Sequence, residues 1–188
     1  FTREILCQPI SDELSVFPNH LFPPLYDTTI TLRPQRDTIK ARGLNVFFGV
    51  DIARSANVGA DYFVIFVIGR DPQGNHYVLD IIRRRGLTFR NQLAILSMVS
   101  QRYRPDLVFI ESNAMQQIWT DEMRRTTDIP VKEFVTSAQN KYPLDKGVPG
   151  LRILMENEKL VIPRGDEHSV HMTDAWISEM QQFGFIEG

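Results

Sequence analysis

Two carboxylates are placed where they could do chemistry. Asp51 follows the apolar run Val46-Phe47-Phe48-Gly49-Val50, and Glu111 follows Leu107-Val108-Phe109-Ile110. Runs this short, rich in β-branched and aromatic residues, predict buried strands rather than helices. An acid at the tip of such a strand has left the core and faces a ligand. If the two strands lie side by side and parallel, their tips are about 4.8 Å apart. Carboxylates that close raise each other's pKa, and a shared cation resolves the repulsion. Carboxylate oxygens suit Mg²⁺ or Mn²⁺, which keep part of their water. Two such ions roughly 4 Å apart support in-line phosphodiester hydrolysis, one activating the water and the other stabilising the leaving oxygen. Asp61 follows a small, polar loop and is a candidate third acid. Each acid alone also fits a plainer role, a loop cap for Asp51 or Glu111 and a turn former for Asp61. The pair, in the right topology, is what points to metal chemistry.

The surrounding pattern predicts that topology. Strands are expected over 46–52, 61–69 and 76–82, joined by the loop 53–60 and the turn Asp71-Pro72-Gln73-Gly74-Asn75, as an antiparallel meander. The period then changes: Thr88 is a plausible N-cap, and Phe89, Leu93, Leu96, Val99 and Tyr103 recur at helical spacing until Arg104-Pro105. The strand 107–111 after this helix fits a parallel crossover back beside the first strand. A helix over 113–125, a strand over 131–135, a loop over 136–150, a helix over 151–158, a strand over 160–163 and a helix over 168–183 complete the expectation. The fold class is therefore α/β, a mixed sheet of three antiparallel strands plus parallel ones, flanked by helices. Residues 1–45, with Pro9, Pro18, Pro23, Pro24 and Pro34, read as an irregular arm that wraps the domain or links it to an upstream one. The basic end of that arm, Arg33, Arg36, Lys40 and Arg42, reads as solvated rather than as a DNA contact.

Composition narrows the function classes. At 188 residues and 43% hydrophobic, the chain can bury a sizeable core. Cys7 is the single cysteine, which excludes an internal disulfide and argues against a thiolate zinc site. No apolar run approaches the ~20 residues of a membrane span. Phe1-Thr2-Arg3-Glu4 has neither an initiator Met nor an apolar signal core, and reads as a cut from a longer protein. A net charge of −2 means that any nucleic-acid contact must come from a local basic face. Arg54 lies close to Asp51, and Lys141 and Lys146 sit on the loop after the second acid, so all three are candidate phosphate contacts. Arg83-Arg84-Arg85 follows the third strand, and Arg102, Arg104, Arg124 and Arg125 end helices, where they also suit the dipole. No phosphate-cradling Gly-x4-Gly-Lys-Ser/Thr loop is present, which argues against an ATPase by that route. His168 and His171, one helical turn apart, read as solvent-exposed, and Trp119 and Trp176 read as core.

Phe48-Gly49-Val50-Asp51-Ile52-Ala53, Gly59-Ala60-Asp61-Tyr62, Val67-Ile68-Gly69 and Gly74-Asn75-His76-Tyr77-Val78-Leu79 together resemble the C-terminal nuclease domain of tailed-phage large terminase subunits. Val108-Phe109-Ile110-Glu111-Ser112-Asn113 resembles that family's second acidic motif. Leu160-Val161-Ile162-Pro163 and Glu179-Met180-Gln181-Gln182-Phe183 match later landmarks, and Phe1 to Leu6 with Val16-Phe17 resemble the segment leaving the ATPase domain. The resemblance implies an RNase H-like fold over 46–188, with 1–45 as the arm from an upstream ATPase domain. It implies an endonuclease using Mg²⁺ or Mn²⁺, two ions in number, to cut concatemeric double-stranded DNA during genome packaging. It carries metal ligation onto Asp51 and Glu111, and a catalytic role onto Asp61 as well. A small terminase subunit and a portal protein are the implied partners, and the host cytoplasm, outside the mature virion, is the implied location. The family also supplies a further Asp beyond the helix ending near Phe183, expected after Gly188; Asp166, Glu167 and Asp174 precede that place and are not promoted to it. The alternatives are another RNase H-like nuclease, of junction-resolvase or transposase type, or a DNA-clamping module whose acids are structural.

Overall fold

A computed structural model describes residues 15–53, 61–111, 123, 127–134 and 148–183. Seven strands form one sheet: β1 (Tyr26–Asp27), β2 (Asn45–Asp51), β3 (Phe63–Arg70), β4 (His76–Arg84), β5 (Leu107–Glu111), β6 (Val131–Phe134) and β7 (Leu160–Pro163). Their order across the sheet is β1-β7-β4-β3-β2-β5-β6. The meander β2-β3-β4 is antiparallel, while β5 pairs parallel with β2, β6 with β5, β7 with β4 and β1 with β7. Among the described residues, these helices accompany them: α1 (Arg36–Ala41), α2 (Phe89–Tyr103), α3 (Gly150–Glu156) and α4 (Glu167–Gln181).

Strand alternation decides which residues meet which helix. Val46, Phe48 and Val50 of β2, Phe63, Ile65 and Val67 of β3, and Val108 and Ile110 of β5 all point to one face. There they pack with Leu96, Val99 and Tyr103 of α2 and with Met123. Thr88 caps α2, its hydroxyl accepting from the Asn91 amide at 3.3 Å, and Arg104 ends it in the left-handed region at φ 48°. The first apolar residue of the expected stripe, Phe89, is exposed: it sits on the opening turn, ahead of the stretch that crosses the sheet.

The opposite face carries a second core. Ile162 and Leu160 of β7, Val78 and Ile81 of β4, Met155 of α3, and Ile177 and Met180 of α4 form it. Trp176 of α4 packs on Phe66 of β3, with ring centroids 5.1 Å apart. One strand can serve both cores because β4 bulges. Val67 opposes Asp80 but the next residue, Ile68, opposes Val78, so Leu79 is extra and turns toward α2. Gly69 permits this crowding, since a Cβ there would lie 2.9 Å from Leu44 and 3.0 Å from Leu79.

Residues 15–32 wrap the second core rather than leading away from it. Val16, Phe17, Phe22 and Leu25 are buried there, the Val16 amide donates to the Phe183 carbonyl at 2.9 Å, and β1 extends the sheet edge. The basic stretch that follows is not simply solvated. Arg33 bonds Asp80 through Nε at 3.3 Å, and the Arg42 guanidinium lies 5.0 Å from the Tyr77 ring centroid. His168 also departs from the sequence expectation, being half-buried with an enclosed Nε2, whereas His171 is exposed. The expected helix over 113–125 lies outside the described residues except for Met123, which is helical and buried. Cys7 and Trp119 lie outside them too.

Candidate active site

The parallel pairing of β2 with β5 runs Phe47–Leu107, Phe48–Val108, Gly49–Phe109 and Val50–Ile110. One step on, both strands reach their acids, so Asp51 and Glu111 are lateral neighbours at the same end of the sheet. Val50 and Ile110 face the α2 core. Alternation therefore sends the next residues, Asp51 and Glu111, to the opposite face. Asp51 is exposed and Glu111 half-buried.

That face is shared between two tenants. α4 covers β4 and β3 through Ile177, Met180 and Trp176. It stops short of β2: a Cβ built at Gly49, two residues before Asp51, would meet no described atom within 4 Å. Among the described residues, none covers the half of the face that carries the acids, and α4 lies beside it over β3 and β4. The row they occupy can be read across the whole sheet. Phe134 of β6 opposes Glu111, Asp51 opposes Val64 of β3, and Val64 opposes Arg83 of β4. Lys132 of β6 opposes Phe109 one row back on the same face. Cations therefore flank the acid pair on both sides.

The strand tip is held in place by a side chain that periodicity conceals. Gln92 of α2 is buried, and its Nε2 donates to the carbonyls of Ala53 at 2.9 Å and Leu87 at 3.2 Å. It ties the exit of β2 to the loop entering α2. Its signal in the sequence is a polar residue on the buried stripe of Leu96, Val99 and Tyr103. Asp61 is exposed two residues before β3, at the sheet end where β2 and β5 finish. Asp166 and Asp174 have other work: Asp166 caps α4 by accepting from the Ser169 amide at 2.7 Å, and Asp174 pairs with Arg164. Arg54, Lys141 and Lys146 lie outside the described residues. Among the described residues, no three His, Cys, Asp or Glu side chains gather closely enough to hold a metal ion by themselves.

A family model of the terminase RNase H-like domain matches residues 48–184. The chain belongs to that family. The matched span begins within β2, includes Asp51 and all of β5 with Glu111, and ends beyond α4. Solved terminase structures share the fold of this terminase domain. The large terminase nuclease of thermophilic phage G20c aligns with a TM-score of 0.59 at 20% identity, covering 82% of this chain and 76% of that one. The nuclease domain of Thermus phage P74-26 aligns at 0.52 and 18% identity, covering 82% and 74%. The large terminase of bacteriophage HK97 aligns at 0.55 and 12% identity, covering 83% of this terminase domain and 35% of that longer chain. No curated protein sequence matches the chain. Among the described residues of the terminase domain, no helix is long and apolar enough to cross a membrane.

Proposed function

We propose that this terminase domain is a divalent-metal-dependent endonuclease that cuts concatemeric double-stranded DNA when genome packaging starts and stops. The observation that carries the reading is the shared face of Asp51 and Glu111, one residue beyond the Val50–Ile110 pair. Two carboxylates on neighbouring strands offer hard oxygen donors of the kind that bind a divalent ion with retained waters. That donor set fits Mg²⁺ or Mn²⁺, with Asp51 and Glu111 as ligands and Asp61 as a further acid at the same sheet end. When bound, such ions supply Lewis-acid polarisation of the phosphodiester and a water of lowered pKa. The chain's own part is to hold the carboxylates side by side, to fix the β2 tip through Gln92, and to present a glycine, Gly49, beside them with no described atom over it. The G20c nuclease has been solved with bound magnesium, zinc and cobalt, which supports a divalent site in this fold. The reading extends to the rest of the motor: an ATPase domain upstream of the arm 1–45 in the same polypeptide, a small terminase subunit and a portal as partners, and the host cytoplasm as the place of work.

Plasmid digestion by the complete native polypeptide tests the proposal. Conversion of supercoiled DNA is expected with Mg²⁺ or Mn²⁺ and is expected to stop on adding EDTA. Asp51→Asn and Glu111→Gln should each remove the metal-dependent cutting while leaving the melting temperature of the metal-free protein close to wild type. Undiminished cutting by Asp51→Asn would overturn the assignment.

A further inference from the structure

β4 ends on Arg83-Arg84 and the chain continues with Arg85, so that strand alternation carried one step on splits the three between the two faces. Arg84 opposes Phe63, which points into the α2 core. Arg83 opposes Val64, so it shares the face and the row of Asp51. Arg85, one step beyond the Phe63–Arg84 pair, comes opposite Tyr62. The side chains confirm that register: the guanidinium carbons of Arg83 and Arg85 lie 3.4 Å and 3.8 Å from the Tyr62 ring centroid. Two guanidiniums cannot both sit that near one side of a ring without colliding, so they sandwich it.

The arrangement gathers positive charge where the fold does not require it. Arg83 pairs with Glu179 of α4 at 2.5 Å, and Glu179 is more than half exposed. Neither Arg84 nor Arg85 has a carboxylate partner among the described residues. Stacking on Tyr62 fixes the planes of the two guanidiniums; Arg83 gives Nη2 to Glu179, and a guanidinium fork held in this way suits bidentate phosphate contacts. β4 lies two strands from β2, about 10 Å at the usual strand spacing, and a DNA strand advances about 3.4 Å per nucleotide. A backbone crossing the sheet from the acid pair would bring a phosphate over Arg83 and Arg85 some three nucleotides from the bond at Asp51.

We propose that Arg83 and Arg85, sandwiching Tyr62, form a phosphate-binding site that positions the DNA backbone a few nucleotides from the cleaved bond. The proposal rests on the nuclease reading above, and these arginines are positioning residues, not catalytic ones. The test is the binding of a short labelled DNA duplex by the complete native polypeptide in EDTA, where neither metal nor cleavage contributes. Each lost phosphate contact should flatten the slope of log K against log salt by about 0.9, which over the decade below 1 M is about an eightfold weakening at about 0.1 M salt. Arg85→Gln should show one such step and Arg83→Gln/Arg85→Gln two. Arg85→Lys should restore most of the slope, because the charge is kept. With metal present, the double variant should need more DNA for half-maximal cutting yet reach nearly the wild-type rate at saturation, a split that mere destabilisation would not give. Arg85 is exposed, so Arg85→Gln is expected to melt like wild type, and an unchanged salt slope in that folded variant overturns the site. Because binding is read in EDTA, that failure is separable from failure of the nuclease reading, which the Asp51→Asn digestion reports on its own.

Discussion

At Gly49, beside the acid pair, no described atom stands over the sheet surface, with Phe66 opposite on β3 and Phe109 opposite on β5. A side chain there would stand upright on the face that, in the proposed nuclease reading, a phosphodiester approaches. Gly49→Val gives the strand a residue it prefers, so stability should hold or rise by up to about 1 kcal/mol. Metal-dependent cutting should nonetheless fall at least tenfold, a loss of 1.4 kcal/mol or more in transition-state access. A variant that melts normally and cuts normally would show that substrate does not cross this surface. Asp51 and Glu111 were legible as a pair because each ends an apolar run and the intervening helix predicts a parallel return. Tyr62 was not legible, since its partners depend on the register of β3 against β4, which no local pattern encodes. Gln92 was hidden for a different reason: at helical spacing a lone polar residue among Leu96, Val99 and Tyr103 looks like an interruption of the stripe, not a brace for the strand beside it.

Between elements, the join of α2 to β4 runs through a buried acid. Asp80 is 4% exposed and accepts from the Tyr103 hydroxyl at 2.9 Å, the Ile81 amide at 3.0 Å and Arg33 Nε at 3.3 Å. Burial, reinforced by the Asp80 charge, pushes the Tyr103 hydroxyl far above its ordinary pKa, so it remains a donor at any working pH. Tyr103→Phe keeps the edge-on ring contact with Phe48, centroids 6.2 Å apart, but removes one donor from a buried carboxylate. The cost should be about 1–3 kcal/mol by urea unfolding, nearer the low end because two donors remain. No loss of stability would mean that Asp80 finds another donor. The helix itself was plain from its period, its Thr88 cap and Arg104-Pro105. The acid it grips was not, because Asp80 sits in a strand shifted by the Leu79 bulge, and the alternation that would place it breaks one residue earlier.

At the scale of the molecule, the described residues form two cores on the two faces of one sheet, and the second is closed by segments far apart in sequence. Val16 and Phe17 meet Phe183 across the chain, which is why an arm punctuated by prolines is structural here. Phe17→Ala should cost about 3–5 kcal/mol, as for a fully buried aromatic, without altering the metal requirement of cutting. The same layer contains two acids whose carboxyls are held below the usual range. The Ser169 side chain and amide do this for Asp166 at the α4 cap, and the Thr29 side chain and amide for Asp27 at the end of β1. With folded-state pKa values below the unfolded ones, the unfolded chain binds more protons as pH falls through that range, so stability drops with acidification. The contribution of these acids is complete above the unfolded carboxylate value of about 4 and fades below it, as pH passes their folded values. Asp166→Ala/Asp27→Ala should therefore melt below wild type at neutral pH, and the gap should narrow steadily once the buffer is more acidic than about pH 4. A gap that stays constant down to the acid limit would mean the two carboxyls act as neutral hydrogen-bonding groups, and that the second layer owes nothing to their ionisation.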